Sequence, residues 1–131
     1  MRTGLGVRQA SIVSIVDDDE SNRDAVSSLL RSVGFTAETF TSAEDFLTSD
    51  HLHHTRCLIL DLRMPGMSGL ELQQLLAAAK YRIPIIFVTA HSDEAVRARV
   101  LQAGAIDLLL KPFRKEALVH AVQKALGDSP G

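Results

Sequence analysis

The sequence predicts an α/β domain: a doubly wound parallel sheet of five strands with helices on both faces. Two observations carry that expectation. Short apolar, β-branched runs alternate five times with helical patterns, as in IVSIV at 12–16 and IIFVT at 85–89. Two of the helical patterns stop at glycine, Gly34 and Gly104, as helices commonly do. With 131 residues, 46% of them hydrophobic, the chain suits one domain with its own core.

The elements follow in order. After the first strand, 12–16, Ala25, Val26, Leu29, Leu30 and Val33 make a helical stripe over 21–33. FTAETF, 35–40, alternates and reads as the second strand. Ser42 precedes AEDFL with Asp45 three residues on, a pattern similar to a capping box. CLIL, 57–60, is a third strand greasy enough to be buried on both faces. Ser68 precedes a leucine-rich helix, GLELQQLLAAAK. IIFVT, 85–89, is the fourth strand, and 92–104 is a capped helix. IDLLL, 106–110, is the fifth strand. The last helix spans 114–126, with Leu118, Val122 and Ala125 facing inward. Residues 1–10 and 127–131 read as tails around a domain at 11–126.

Composition excludes several classes. A net charge of −2 with no long basic block argues against nucleic-acid binding by this domain. No apolar run approaches the ~18 residues of a membrane span, and MRTGLGVRQA has no apolar stretch long enough for a signal peptide. The single cysteine, Cys57, makes no internal disulfide, which fits a reducing, cytoplasmic setting. Its apolar neighbours suggest a buried thiol. DHLHH, 50–54, reads as a solvated loop rather than a metal site.

In an open parallel sheet the carboxyl ends of the strands share one edge, and ligands bind there. The first strand exits through Asp17, Asp18, Asp19 and Glu20, the third through Asp61, the fourth through Thr89, Ala90 and His91, and the fifth through Lys111 and Pro112. Carboxylate oxygens suit Mg²⁺, which often shares them with phosphate. An aspartate can act as nucleophile towards a phosphoryl group, and such transfer needs mainly positioning and charge neutralisation. With Val16 as the last strand residue, Asp17 and Asp18 are favoured as the paired acids. Asp19 and Glu20 then read as acids at a helix start.

VDDDE at 16–20, LDLRMPGMSG at 60–69, VTA at 88–90 and KPF at 111–113 resemble the motifs of two-component response-regulator receiver domains. The flavour is closest to the FixJ/NarL class of transcription regulators, and the resemblance spans residues 10 to 126. It implies a flavodoxin/CheY-like sheet of order 2-1-3-4-5. It implies Asp61 as acceptor of phosphate from a sensor histidine kinase. Mg²⁺ (or Mn²⁺) would be held by Asp17, Asp18, Asp61 and the backbone carbonyl of Arg63. Thr89 and Lys111 would contact the phosphoryl group, and Pro112 would follow a cis peptide bond. Ala90, beside Thr89, belongs to the same motif. The resemblance implies self-directed phosphoryl transfer rather than an enzyme acting on other substrates. It also implies a homodimer through the helix at 92–104, the strand at 106–110 and the last helix.

Two positions qualify the resemblance. Many receivers carry an aromatic residue three before the motif lysine; here Leu108 stands there, so a threonine–aromatic switch is not expected. Arg63 and His91, two residues after Asp61 and Thr89, are expected to tune the lifetime of the phosphoaspartate. A Mg²⁺-dependent aspartyl phosphohydrolase is the rival reading, but it wants an acid where Arg63 stands. A single-domain regulator acting by protein contact is the other.

Overall fold

A computed structural model describes residues 12–91 and 93–127. Apart from Gly127, both expected tails lie outside these residues. Five strands, β1 (Ile12–Val16), β2 (Thr36–Phe40), β3 (Thr55–Asp61), β4 (Ile85–Thr89) and β5 (Asp107–Leu110), form one parallel sheet in the order β2-β1-β3-β4-β5. The helices are α1 (Glu20–Ser32), α2 (Ala43–Leu47), α3 (Gly69–Ala78), α4 (Glu94–Gln102) and α5 (Lys115–Ala125).

The sheet has a core layer on each face. Val13, Ile15, Cys57 and Ile59 point to one side, where Val26 and Leu30 of α1 and Leu118 and Val122 of α5 cover them. Val16, Leu58, Leu60 and Phe87 point to the other, against Phe46 of α2, Leu72 and Leu76 of α3 and Val100 of α4. Each fully buried Leu, Ile, Val or Phe contributes about 1.5–3 kcal/mol of transfer free energy. Six of the seven β3 residues are buried, so this strand is the hub of both layers. Cys57 is buried, and burial pushes its thiol up to about 12, leaving it a small inert hydrophobe.

The strands at 12–16 and 85–89 have the expected bounds, while β3 is longer than CLIL. Thr55 extends it because its hydroxyl pairs with buried Ser14 at 2.6 Å. DHLHH departs from the expected solvated loop. Asp50–His54 form a 3-10 turn because Leu52 is buried and draws the turn onto the sheet. His51 packs edge-on against Phe40, with centroids 5.9 Å apart. Ser42 does cap α2 through the Asp45 N–H, but the box is not closed. The Asp45 carboxylate accepts from the Thr41 hydroxyl at 2.8 Å instead of returning to Ser42. Ser68 and Glu71 do close one at the start of α3, with bonds of 3.1 and 2.8 Å.

Two glycines fix the β3–α3 connection. Gly66 has φ +74°, a left-handed turn that suits glycine. A Cβ on Gly69 would lie 2.4 Å from the Asp61 carbonyl oxygen, so only glycine lets α3 start this close to the end of β3.

Candidate functional site

The register of the sheet assembles the site. Val16 pairs with Leu60, so the next residues, Asp17 and Asp61, leave adjacent strands side by side. Both are buried, at 1% and 6% exposure, while Asp18 is exposed. Asp17, Asp18 and Asp61 each offer a carboxylate oxygen within 4.8 Å of the others. From the far side β5 delivers Lys111, whose backbone N–H donates to the Thr89 carbonyl at 2.8 Å. Its ammonium donates to Asp17 Oδ2 at 3.2 Å and lies 3.8 Å from Asp61 Oδ2.

The remaining expected residues fall into two groups. Thr89 is buried, and its Oγ1 accepts the His91 N–H at 3.2 Å. The Arg63 N–H donates to Asp61 Oδ1 at 3.2 Å. Arg63, Ala90, His91 and Pro112 are exposed, and Pro112 follows a cis peptide bond. Leu108 is buried, and its backbone carbonyl accepts from Arg97 of α4 at 3.1 Å. Asp19 is the N-cap of α1, accepting from the N–H groups of Ser21 and Asn22, which agrees with a helix-start role.

Three residues that the sequence reading passed over also belong to this edge. Asn22 donates its side-chain amide to Asp17 Oδ2, and Arg23 donates to the Asp17 carbonyl at 2.8 Å. Glu44, on α2, accepts the Met67 N–H at 3.3 Å and so steadies the loop after Asp61. Helical spacing was the available signal for the first two. Residues 22 and 23 lie one turn beyond the cap at Asp19 and so return to the end of β1.

Electrostatics single out Asp61. Burial, and then the charge on Asp17, push its carboxyl up to about 7 against the pull of Lys111 and the Arg63 N–H. Two carboxylates ~4 Å apart repel by roughly 4 kcal/mol at an effective dielectric of ~20. Among the described residues, Lys111 is the only cation bonded to these carboxylates. Three acids facing one ammonium are short of positive charge, and hard oxygen donors are what Mg²⁺ prefers. The donor set therefore fits that ion.

A family model for the response regulator receiver domain matches residues 13–123. The chain belongs to the response-regulator receiver family. Among curated relatives, the receiver is 44% identical over 122 residues to the response regulator protein TodT of Pseudomonas putida, covering 93% of this chain and 54% of that protein. The receiver thus spans about half the length of the first curated relatives it matches. Among solved structures, response regulator StyR superposes with a TM-score of 0.84 at 47% identity, covering 90% of this chain and 60% of that one. FixJ-N superposes at 0.82 and 36% identity, covering 94% and 98%. The receiver is of the kind found in two-component transcription regulators, and Mg²⁺ binding is typical of its family. No described helix is long and apolar enough to cross a membrane.

Proposed function

We propose that this receiver, with its domain at 11–126, accepts a phosphoryl group on Asp61 from a sensor histidine kinase. The observation that carries the reading is the juxtaposition of Asp61 with Asp17, Asp18 and Lys111 at one strand edge. An Asp61 carboxylate oxygen attacks phosphorus while the P–N bond to the kinase histidine breaks, giving an acyl phosphate. Asp17, Asp18, Asp61 and the Arg63 carbonyl would hold Mg²⁺ or Mn²⁺. When bound, the ion supplies charge neutralisation to the transferring group.

The chain's own residues do the rest. Lys111 moves from Asp17 to a phosphoryl oxygen, a short displacement given its 3.8 Å distance from Asp61. The Thr89 hydroxyl turns to another oxygen, with Ala90 and Pro112 shaping the loops on either side. Exposed Arg63 and His91 flank the group and set its lifetime against water. Leu108 offers no ring to rotate, so the signal passes through the loop after Thr89 and α4. The altered α4–β5–α5 face then docks a partner, in the first instance a second copy. An output domain in the remainder of a longer protein, as the half-length match to TodT suggests, would carry transcriptional control.

Incubation with acetyl phosphate and Mg²⁺ tests this reading, with phosphate incorporation and oligomeric state measured together. The wild type is expected to take up about one phosphate and Asp61→Asn none. Equal incorporation by both would remove Asp61 from the role.

A further inference from the structure

A carboxylate offers about four lone-pair sites, and three of those on buried Asp17 are taken. Oδ1 accepts the Asp19 N–H at 2.9 Å, while Oδ2 accepts both the Lys111 ammonium at 3.2 Å and the Asn22 amide. Asp18 is the opposite case: among the described residues no hydrogen bond ends on its carboxylate. One of the two oxygens of Asp17 is thus filled, and one of its two donors is neutral. Neutrality matters. An amide satisfies the buried oxygen without cancelling the negative potential that draws a divalent cation.

We propose that Asn22 is a positioning residue of the acidic site. Its amide keeps Asp17 Oδ2 out of direct contact with the metal and holds that oxygen satisfied when Lys111 leaves for the phosphoryl group. The inference rests on the proposed phosphoacceptor reading and adds to it a residue outside the receiver motifs. Asn22 is placed for this by α1. It lies in the first turn, three residues past the Asp19 cap, at the border between the carboxylates and a hollow of about 240 Å³ bounded by Leu29, Lys111 and Phe113. A buried acceptor stripped of its last side-chain donor is costly, so without Asn22 the ammonium has more reason to stay.

The two halves of the role predict opposite signs, which mere damage to the site would not produce. Removing the amide frees a lone pair for the cation, so Mg²⁺ should bind about three- to tenfold tighter, the net worth of one ordinary hydrogen bond. Phosphorylation by acetyl phosphate at saturating Mg²⁺ should slow, because an Asp17 carboxylate no longer fixed by the amide turns towards the cation and holds Lys111 out of line with the phosphoryl group. Mg²⁺ titration calorimetry on the full chain tests this with Asn22→Ala and Asn22→Leu, the leucine excluding a water that could replace the amide. Tighter Mg²⁺ with slower phosphorylation in both variants is expected. Unchanged or weaker Mg²⁺ binding by Asn22→Leu overturns the role of Asn22 alone. Absence of Mg²⁺ binding by the wild type overturns the phosphoacceptor reading with it.

Discussion

β3 and α4, which the proposed function sets at the two ends of one signal, are held in opposite ways. β3 is paired along both edges, to β1 and β4, and buries all but one of its seven residues. α4 buries a single side chain, Val100, of its nine residues. Val96 and Leu101 pack half-buried against the same core, and polar clasps add to their hold. Asp93 caps it, Gln73 of α3 donates to the Val100 carbonyl at 3.2 Å, and Arg97 reaches the Leu108 carbonyl of β5 at 3.1 Å. The contrast separates two requirements. A nucleophile must be fixed within a fraction of an ångström, which close packing provides. A responding element must have a second arrangement within a few kcal/mol, which a thinly packed helix provides.

Core substitutions should break the comparison most visibly. Leu58→Ala on β3 is expected to cost about 3–4 kcal/mol, whereas Leu101→Ala on α4 should cost about 1 kcal/mol or less, both read from denaturation midpoints. Comparable losses would mean that α4 is packed as firmly as the hub.

The next effect is electrostatic. The folded chain holds the Asp61 proton up to about 7, whereas an unfolded aspartate titrates near ~3.9. The folded state binds more protons between those values, so metal-free stability falls as pH rises from about 4 to about 7. Asp61→Asn removes that loss. In the presence of a chelator the variant should be more stable than wild type by about 2 kcal/mol near pH ~8, with the gap closing towards pH ~4. That is about half of the full conversion, since water at the open strand edge screens the ionised form. A gap independent of pH would show that Asp61 ionises without strain.

Arg97→Ala should have the smallest global effect, about 0.5–1 kcal/mol, because it removes one partly exposed hydrogen bond. Its mark should be local: faster amide exchange in α4 with no change in β3. Uniform acceleration across both would place α4 in the same cooperative unit as the sheet.

The same contrast explains what the sequence could show. β3 was legible because its reach into the core writes an uninterrupted apolar run, and its exit writes an acid and a turn. Topology then brings Asp17, Asp61 and Lys111 to one edge without any side-chain detail. Where polar side chains decide, the sequence is quiet. Gln73 sits inside the stripe GLELQQLL and Asn22 inside a first helical turn, where polar residues are ordinary. Leu52 is hidden among four polar neighbours in DHLHH, and that one buried leucine makes a turn where a loop was expected. Whether Asp45 closes a capping box depended on a competitor, Thr41, which spacing alone does not weigh.

Amide hydrogen exchange on the wild type and on Asp61→Asn, with and without acetyl phosphate and Mg²⁺, tests the central claim most directly. The account predicts altered exchange in the segment 90–91 and in α4 of the wild type, unchanged β3, and no response in Asp61→Asn. An α4 that is unmoved in the phosphorylated wild type, or that responds equally in Asp61→Asn, would contradict it.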